Sequence, residues 1–176
     1  MEDSDAEEIM RSKVRSINNY PKPGIIFRDI TPLLKDRNSF ALCIDILHKK
    51  LDRRDASCIV GVESRGFIIG SALAYAMGMG FVPARKKGKL PYKKISQDYE
   101  LEYGHETLEM HTDSLGKGES VLIVDDLLAT GGTAAAVGKM VEKLGGKVAA
   151  YVFMIELEGL KGREKLNGNV ISLLKY

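Results

Sequence analysis

Cysteine is nearly absent from the 176-residue chain: Cys43 and Cys58 are too few for a disulfide framework and lack the CxxC spacing of a zinc or redox site. Both are expected as buried thiols. No apolar run approaches the ~20 residues that cross a bilayer, which argues against a membrane protein. The first eight residues carry Glu2, Asp3, Asp5, Glu7 and Glu8, the opposite of the basic start and apolar stretch of a secretory signal, so the expected compartment is the cytoplasm. The sequence has no GxxxxGK[ST], which argues against a P-loop ATPase. It also has no GxGxxG after a strand, which leaves a dinucleotide fold unsupported. An excess of one charge is missing too. With 26 Lys+Arg against 24 Asp+Glu, the net charge of +2 is too small to announce a nucleic-acid binder.

What is present is 44% hydrophobic and 28% charged residues, the profile of one globular domain, with no repeat, linker or composition break to divide 1–176. The charge is unevenly spread. Arg85, Lys86, Lys87, Lys89, Lys93 and Lys94 make residues 85–94 a +6 segment without an acid, leaving the remainder of a +2 chain at −4. A lysine run is usually a solvated loop. Its meaning depends on the motifs around it.

Hydrophobic spacing supplies the architecture. Ser4 and Glu7 can form a capping box, and Met10, Val14 and Ile17 share a helical face, predicting a short helix from about residue 5 to near Asn18. Pro21, Pro23 and Gly24 then force an irregular connector. Phe40, Cys43, Ile44, Leu47 and Leu51 recur at the spacing of a helix with one buried face. Residues 58–62 (CIVGV), an alanine-rich helix to about Met77 and residues 81–83 read as strand, helix, strand. Residues 121–124 (VLIV) form a continuous apolar strand, followed by a helix through Val137, Met140, Val141 and Leu144 and a strand over 148–155. Repeated βα units predict an α/β fold with a mainly parallel sheet flanked by helices, and such sheets bind ligands at the carboxyl ends of their strands. Residues 85–112 break this rhythm, because Glu106, Leu108 and Met110 alternate with His105, Thr107, Glu109 and His111 as in a hairpin or flap.

The most informative stretch is 121–133 (VLIVDDLLATGGT). A buried strand ends in Asp125 and Asp126, a turn carries Thr130, Gly131 and Gly132, and a helix starts near Thr133. Unpaired amides at a helix start, two hydroxyls and close-approach glycines suit a phosphate dianion. Adjacent carboxylates repel phosphate but accept from a sugar cis-diol or hold Mg²⁺ through water, so the segment reads as a ribose-phosphate clamp. The plainer alternative is an ordinary βα turn with an acidic cap, and two acids, two threonines and two glycines in this order disfavour it.

At this point the sequence resembles the type I phosphoribosyltransferases. Segments 23–32 (PGIIFRDITP), 63–67 (ESRGF), 85–91 (RKKGKLP), 99–104 (YELEYG) and 160–164 (LKGRE) narrow the resemblance to the adenine phosphoribosyltransferases within that family, from about residue 10 to the end. The resemblance implies a type I phosphoribosyltransferase fold, a small N-terminal hood over about 1–35 and a flexible flap over about 85–112. It implies transfer of the 5-phosphoribosyl group from 5-phosphoribosyl 1-diphosphate to adenine, giving AMP and diphosphate. By the same resemblance Ala129, Thr130, Gly131, Gly132 and Thr133 hold the 5-phosphate, and Asp125 and Asp126 meet the ribose. Arg65, Arg85, Lys86 and Lys89 take the diphosphate, Glu102 serves as general acid/base on the purine, and Tyr103 packs over the closing site. Ile26, Phe27, Arg28 and Leu157 contact the base. Mg²⁺ is implied through the diphosphate, the partners are small-molecule substrates, and a homodimer is expected. Lys87, Lys93 and Lys94 read as solvated.

Three alternatives stay open on the residues alone. Backbone contacts leave little side-chain trace, so hypoxanthine or guanine can replace adenine. A phosphoribosyl-diphosphate-sensing regulator would keep the clamp, although the chain has neither an added DNA-binding module nor a damaged flap. His105, Glu109 and His111 share a strand face and imitate a metal site, but without HExxH spacing or a fourth ligand they are expected to face solvent.

Overall fold

The computed structural model describes residues 3–51, 56–100 and 104–176, and its packing divides the chain into two compact units, Met1–Lys49 and Lys50–Tyr176. The first unit runs through α1 (Asp3–Ser12), β1 (Arg15–Asn18), β2 (Ile26–Asp29), α2 (Thr31–Lys35) and α3 (Arg37–Lys50). Helix α1 stops earlier than its apolar spacing predicts. Ser12 Oγ donates to the Ile9 carbonyl at 2.7 Å, and the Lys13 and Val14 amides close tight turns onto Met10 and Arg11 at 3.1 Å. Residues 15–18 then pair antiparallel with β2, setting Ile17 opposite Phe27. A helical period had claimed Ile17 only because cross-strand partners are invisible in sequence. The connector after it is irregular as expected, with the Gly24 amide on Asn19 Oδ1 at 2.9 Å. On α3, Cys43, Ile44 and Leu47 are buried, as their spacing requires.

The second unit is a seven-stranded sheet in the order β5-β6-β4-β3-β7-β8-β9. Its strands are β3 (Cys58–Val62), β4 (Gly80–Lys86), β5 (Lys94–Glu100), β6 (His105–His111), β7 (Ser120–Leu128), β8 (Lys147–Glu156) and β9 (Asn169–Lys175). β4, β3, β7, β8 and β9 pair parallel, while β6 runs antiparallel to β4 and β5. Strand β9 was not anticipated; its mixed exposure at a sheet edge blurs the apolar pattern.

Alternation on the strands shows how the sheet is covered. Cys58, Val60, Val62, Val121 and Ile123 join one core with Val137, Met140 and Val141 of α5 (Gly132–Lys143). The intervening Ile59 turns to the other face, where Gly70 of α4 (Arg65–Met77) approaches closely enough that a Cβ would lie 3.4 Å from Ile59 Cγ2. Helices therefore lie on both faces. Both cysteines sit inside, and burial pushes their thiols up to about 12, so they pack rather than react.

The chain visits β4 on one side of β3 and returns to β7 on the other, making the gap between the carboxyl ends of β3 and β7 the point where the winding reverses. Open α/β sheets bind ligands at such a point. The core beneath it sets its rigidity. Ile123, fully buried on β7, is the test: Ile123→Ala should lower unfolding free energy by about 2–5 kcal/mol in urea titrations, the usual result of an unfilled core cavity.

Candidate active site

The end of β7 reaches further than the apolar run implies, because Asp125 and Asp126 lie within the strand rather than beyond it. Alternation sends them to opposite faces. Asp126 is nearly buried, its side chain 6% exposed, and its Oδ2 meets Arg65 Nε at 2.5 Å across the reversal point. A carboxylate so withdrawn from water needs a charged partner, and the guanidinium fork supplies it. Arg65 opens α4, and the following Gly66 packs so tightly that a Cβ would stand 2.6 Å from the Val124 carbonyl and 3.0 Å from Asp125 Oδ1. Only glycine lets the helix start press on the strand end here. Desolvation, reinforced by the neighbouring Asp126 carboxylate, pushes the Asp125 carboxyl well above the usual range.

Beyond Leu128 the chain turns through 129–131 into α5. Gly131 caps that helix in the left-handed region with φ +79°, and the first i→i−4 bond, Ala135 N to Gly131 O, spans 3.0 Å. The amides of Gly132, Thr133 and Ala134 thus precede the helical ladder, in the arrangement that receives anions. No acidic residue occupies this first turn. The turn is also hemmed in by 157–162. Leu157 donates its amide to the Leu128 carbonyl at 2.9 Å, and Cβ atoms built on Gly131 and Gly162 would fall 2.3 Å and 2.1 Å from each other's neighbouring carbonyls, Gly162 O and Ala129 O.

The cationic segment is less free than its sequence implies. Glu63, at the end of β3, accepts from Arg85 Nε at 3.2 Å and Nη2 at 3.3 Å and from the Lys86 amide at 2.9 Å. Despite partial burial, the Lys86 amide and Arg85 hold the Glu63 carboxyl below its ordinary value. Arg85 Nη1 also donates to the Lys89 carbonyl at 3.2 Å, and Lys86 Nζ meets Glu106 Oε1 at 3.0 Å. Glu106 in turn accepts from the Tyr99 hydroxyl at 2.8 Å, whose phenol burial and that carboxylate push up to about 12.

Two expectations need correction. Glu109 does not face solvent: it is 3% exposed, accepts from Lys94 Nζ at 2.9 Å and from the Gly88 amide at 3.0 Å, and so ties the hairpin together. Lys94 is accordingly an ion-pair partner rather than a solvated side chain. His111 packs its ring edge-to-face on Tyr92 at 6.0 Å, leaving only His105 exposed as expected. Among the described residues no group of three or more His, Cys, Asp or Glu could hold a metal ion.

The structure thus brings Arg65, Asp125, Asp126 and the 129–133 turn to one end of the sheet. Glu63 joins Arg85 and Lys86 to the end of β3. Glu102 and Tyr103 lie outside the described residues. In the N-terminal unit Ile26 is exposed, Phe27 stacks edge-to-face on Tyr20 at 5.4 Å, and Arg28 donates to Ser16 Oγ. Sequence reading assigned no role to Glu63, Tyr99, Glu106, Glu156 or Arg163. Glu63, Tyr99 and Arg163 stood inside recognisable segments, whereas the pairing of Tyr99 with Glu106 needed the hairpin register, which sets the two opposite each other.

Comparison with known proteins agrees with this layout. The phosphoribosyl transferase domain family matches residues 29–175. The adenine phosphoribosyltransferase of Brachyspira hyodysenteriae is 54% identical over 165 residues, covering 94% of this chain and 97% of its own. Among solved structures, the adenine phosphoribosyltransferase of Thermoanaerobacter pseudethanolicus superposes with a TM-score of 0.93 at 50% identity, over 97% of this chain and 99% of that one. The enzyme of Saccharomyces cerevisiae, solved with an imino-altritol bisphosphate and adenine, also gives 0.93, at 40% identity over 97% and 99%.

The Asp125 carboxyl generates a pH prediction. An acid whose folded value is raised keeps a proton that the unfolded chain releases, so its penalty is absent below the ordinary Asp value near ~3.9 and grows as pH rises. Asp125→Asn preserves an acceptor for the Asp126 amide, which Asp125 Oδ1 now takes at 2.9 Å. Thermal melts from acid to neutral pH should therefore find the variant's Tm advantage widening with pH; a constant or shrinking gap would contradict the assignment.

Proposed function

The chain belongs to the adenine phosphoribosyltransferases of the phosphoribosyltransferase family, and on that premise we propose that it transfers the 5-phosphoribosyl group of 5-phosphoribosyl 1-diphosphate to adenine, giving AMP and diphosphate. The observation that carries this reading is the end of β7: two adjacent carboxylates, Asp126 braced by Arg65, running directly into a glycine turn and an acid-free helix start. Few ligands need both. A phosphate suits the amides and hydroxyls of 129–133, while a sugar diol suits the carboxylates.

In this reading Ala129 to Thr133 bind the 5-phosphate and fix the ribose over the strand ends. Asp125 and Asp126 accept from the ring hydroxyls and favour the positive charge that develops on the sugar as diphosphate departs. Arg65, Arg85, Lys86 and Lys89 neutralise the leaving diphosphate. The hairpin of β5 and β6 with the end of β4 acts as a flap over about 85–112, and residues 1–35 act as the hood. Glu102 exchanges a proton with the purine imidazole ring, and Tyr103 packs over the closed site. For recognition of the base the reading relies on the family resemblance at Ile26, Phe27, Arg28 and Leu157.

The donor set fits Mg²⁺ as a cation carried mainly by substrate phosphates. Two adjacent carboxylates, one already engaged by Arg65, supply oxygen ligands but not a complete cage. Asp125 and Asp126 are the residues that would contribute, and the ion would offset diphosphate charge. A homodimer is the assembly the family resemblance supports. No described helix is long and apolar enough to cross a membrane.

Purified protein given phosphoribosyl diphosphate, Mg²⁺ and equal adenine, hypoxanthine and guanine should accumulate AMP. IMP or GMP as the main product would reassign the base, and no nucleotide at all would overturn the reading. Glu102→Gln should lower AMP turnover by roughly 10² to 10⁴, the range of a lost proton-transfer group, without abolishing binding of the donor.

A further inference from the structure

The residues that finish the phosphate turn are not all in the turn. Gly162 lies against it so closely that a Cβ would stand 2.1 Å from the Ala129 carbonyl oxygen and 2.9 Å from the Gly131 amide nitrogen. The contact is backbone on backbone, which cannot yield as a flexible side chain can. Gly131 meets it from the other side in a left-handed conformation that other residues rarely adopt. The shape of the 129–131 turn therefore depends on where Gly162 is held.

What holds it is the next residue. Arg163 forks onto Glu156 at the end of β8, with Nε to Oε1 at 2.9 Å and Nη2 to Oε2 at 2.5 Å, and its Nη1 donates to the Val170 carbonyl of β9 at 2.8 Å. Ser172 completes the cluster by donating its hydroxyl to Glu156 Oε2 at 2.6 Å. Glu156 is 5% exposed, and the Arg163 guanidinium holds its carboxyl below the usual range. A nearly buried carboxylate with both oxygens taken has one favourable geometry, and a planar fork transmits it to the chain that bears it. Lys161, at φ +51°, turns the backbone sharply just before Gly162, so the segment has a fixed entry as well as a fixed exit.

We propose that Arg163 is a positioning residue for the phosphate turn: through its fork on Glu156 it presses Gly162 against Ala129 and Gly131 and sets the amides of that turn for the 5-phosphate. Arg163 touches no reacting atom. The inference rests on the assignment of 129–133 to the phosphate, and its test separates the two.

Ribose 5-phosphate serves as the probe, titrated calorimetrically into the folded protein and its variants alongside thermal melts. Arg163→Met should weaken binding about ten- to a hundredfold, the usual result when a supporting contact is lost and a binding group shifts by a fraction of an ångström to an ångström. Arg163→Lys, which keeps the charge but not the fork, should recover only part of it. A merely structural role would reduce the folded fraction and leave the dissociation constant of the remainder unmoved, so Arg163→Met binding within twofold of the wild type overturns the proposal. Should that variant fail to fold, Glu156→Gln keeps the shape and removes the charge. It should weaken binding at least threefold, and unchanged binding overturns the proposal equally. Thr133→Ala reports on the underlying assignment: weakened binding there with unchanged binding in Arg163→Met defeats only the positioning role, whereas unchanged binding in Thr133→Ala defeats both.

Discussion

Asp126 is a carboxylate that the fold has withdrawn from water at the seam between two parallel strands, and much of the site's arrangement follows from satisfying it. Its partner, Arg65, is the first residue of α4, so the ion pair fixes where that helix begins. The helix start in turn must sit against β7, which is why Gly66 has no room for a side chain beside the Val124 carbonyl. With β3, β7 and α4 locked at one corner, the turn after Leu128 emerges from a rigid base. The pair contributes little net stability, since withdrawing Asp126 from water is costly while Arg65, 41% exposed, keeps much of its hydration, which screens the attraction. Its value lies in geometry: the guanidinium, the two acids and the turn are held in one register.

The same logic recurs around the sheet end. Glu63 orders Arg85 and the Lys86 amide, Glu109 orders Lys94 and Gly88, and Glu156 orders Arg163. Each is an acid partly or wholly removed from solvent, and each takes more than one donor. The carboxyl end of the sheet is thus built from three acid-centred clusters besides the Asp126 pair, each tying a loop to a strand. Loops held in this way can present binding groups accurately while their tips stay irregular.

Much of this was legible in the chain itself. Continuous apolar runs marked β3, β7 and β8, 3.6-residue spacing marked α3 and α5, and the order of acids, threonines and glycines after residue 124 located the site. The failures share a cause. Residues 15–18 continued a helical stripe from Met10 until a partner strand claimed them, and Glu109 looked solvated until Lys94 and Gly88 closed on it. Periodicity reports only what a segment does with its own neighbours along the chain. Register and ion pairing are decided between segments far apart in sequence, and β9 with its Arg163 anchor belongs to that class.

The +6 segment carries one more implication. Arg85, Lys86 and Lys94 already hold carboxylates, as does Arg65. A diphosphate bound at these cations, as proposed above, would have to trade places with their resident acids. Such internal rivals would hold small single-charge ions at bay, because one weak contact would not repay a displaced carboxylate, while a ligand reaching several cations together could.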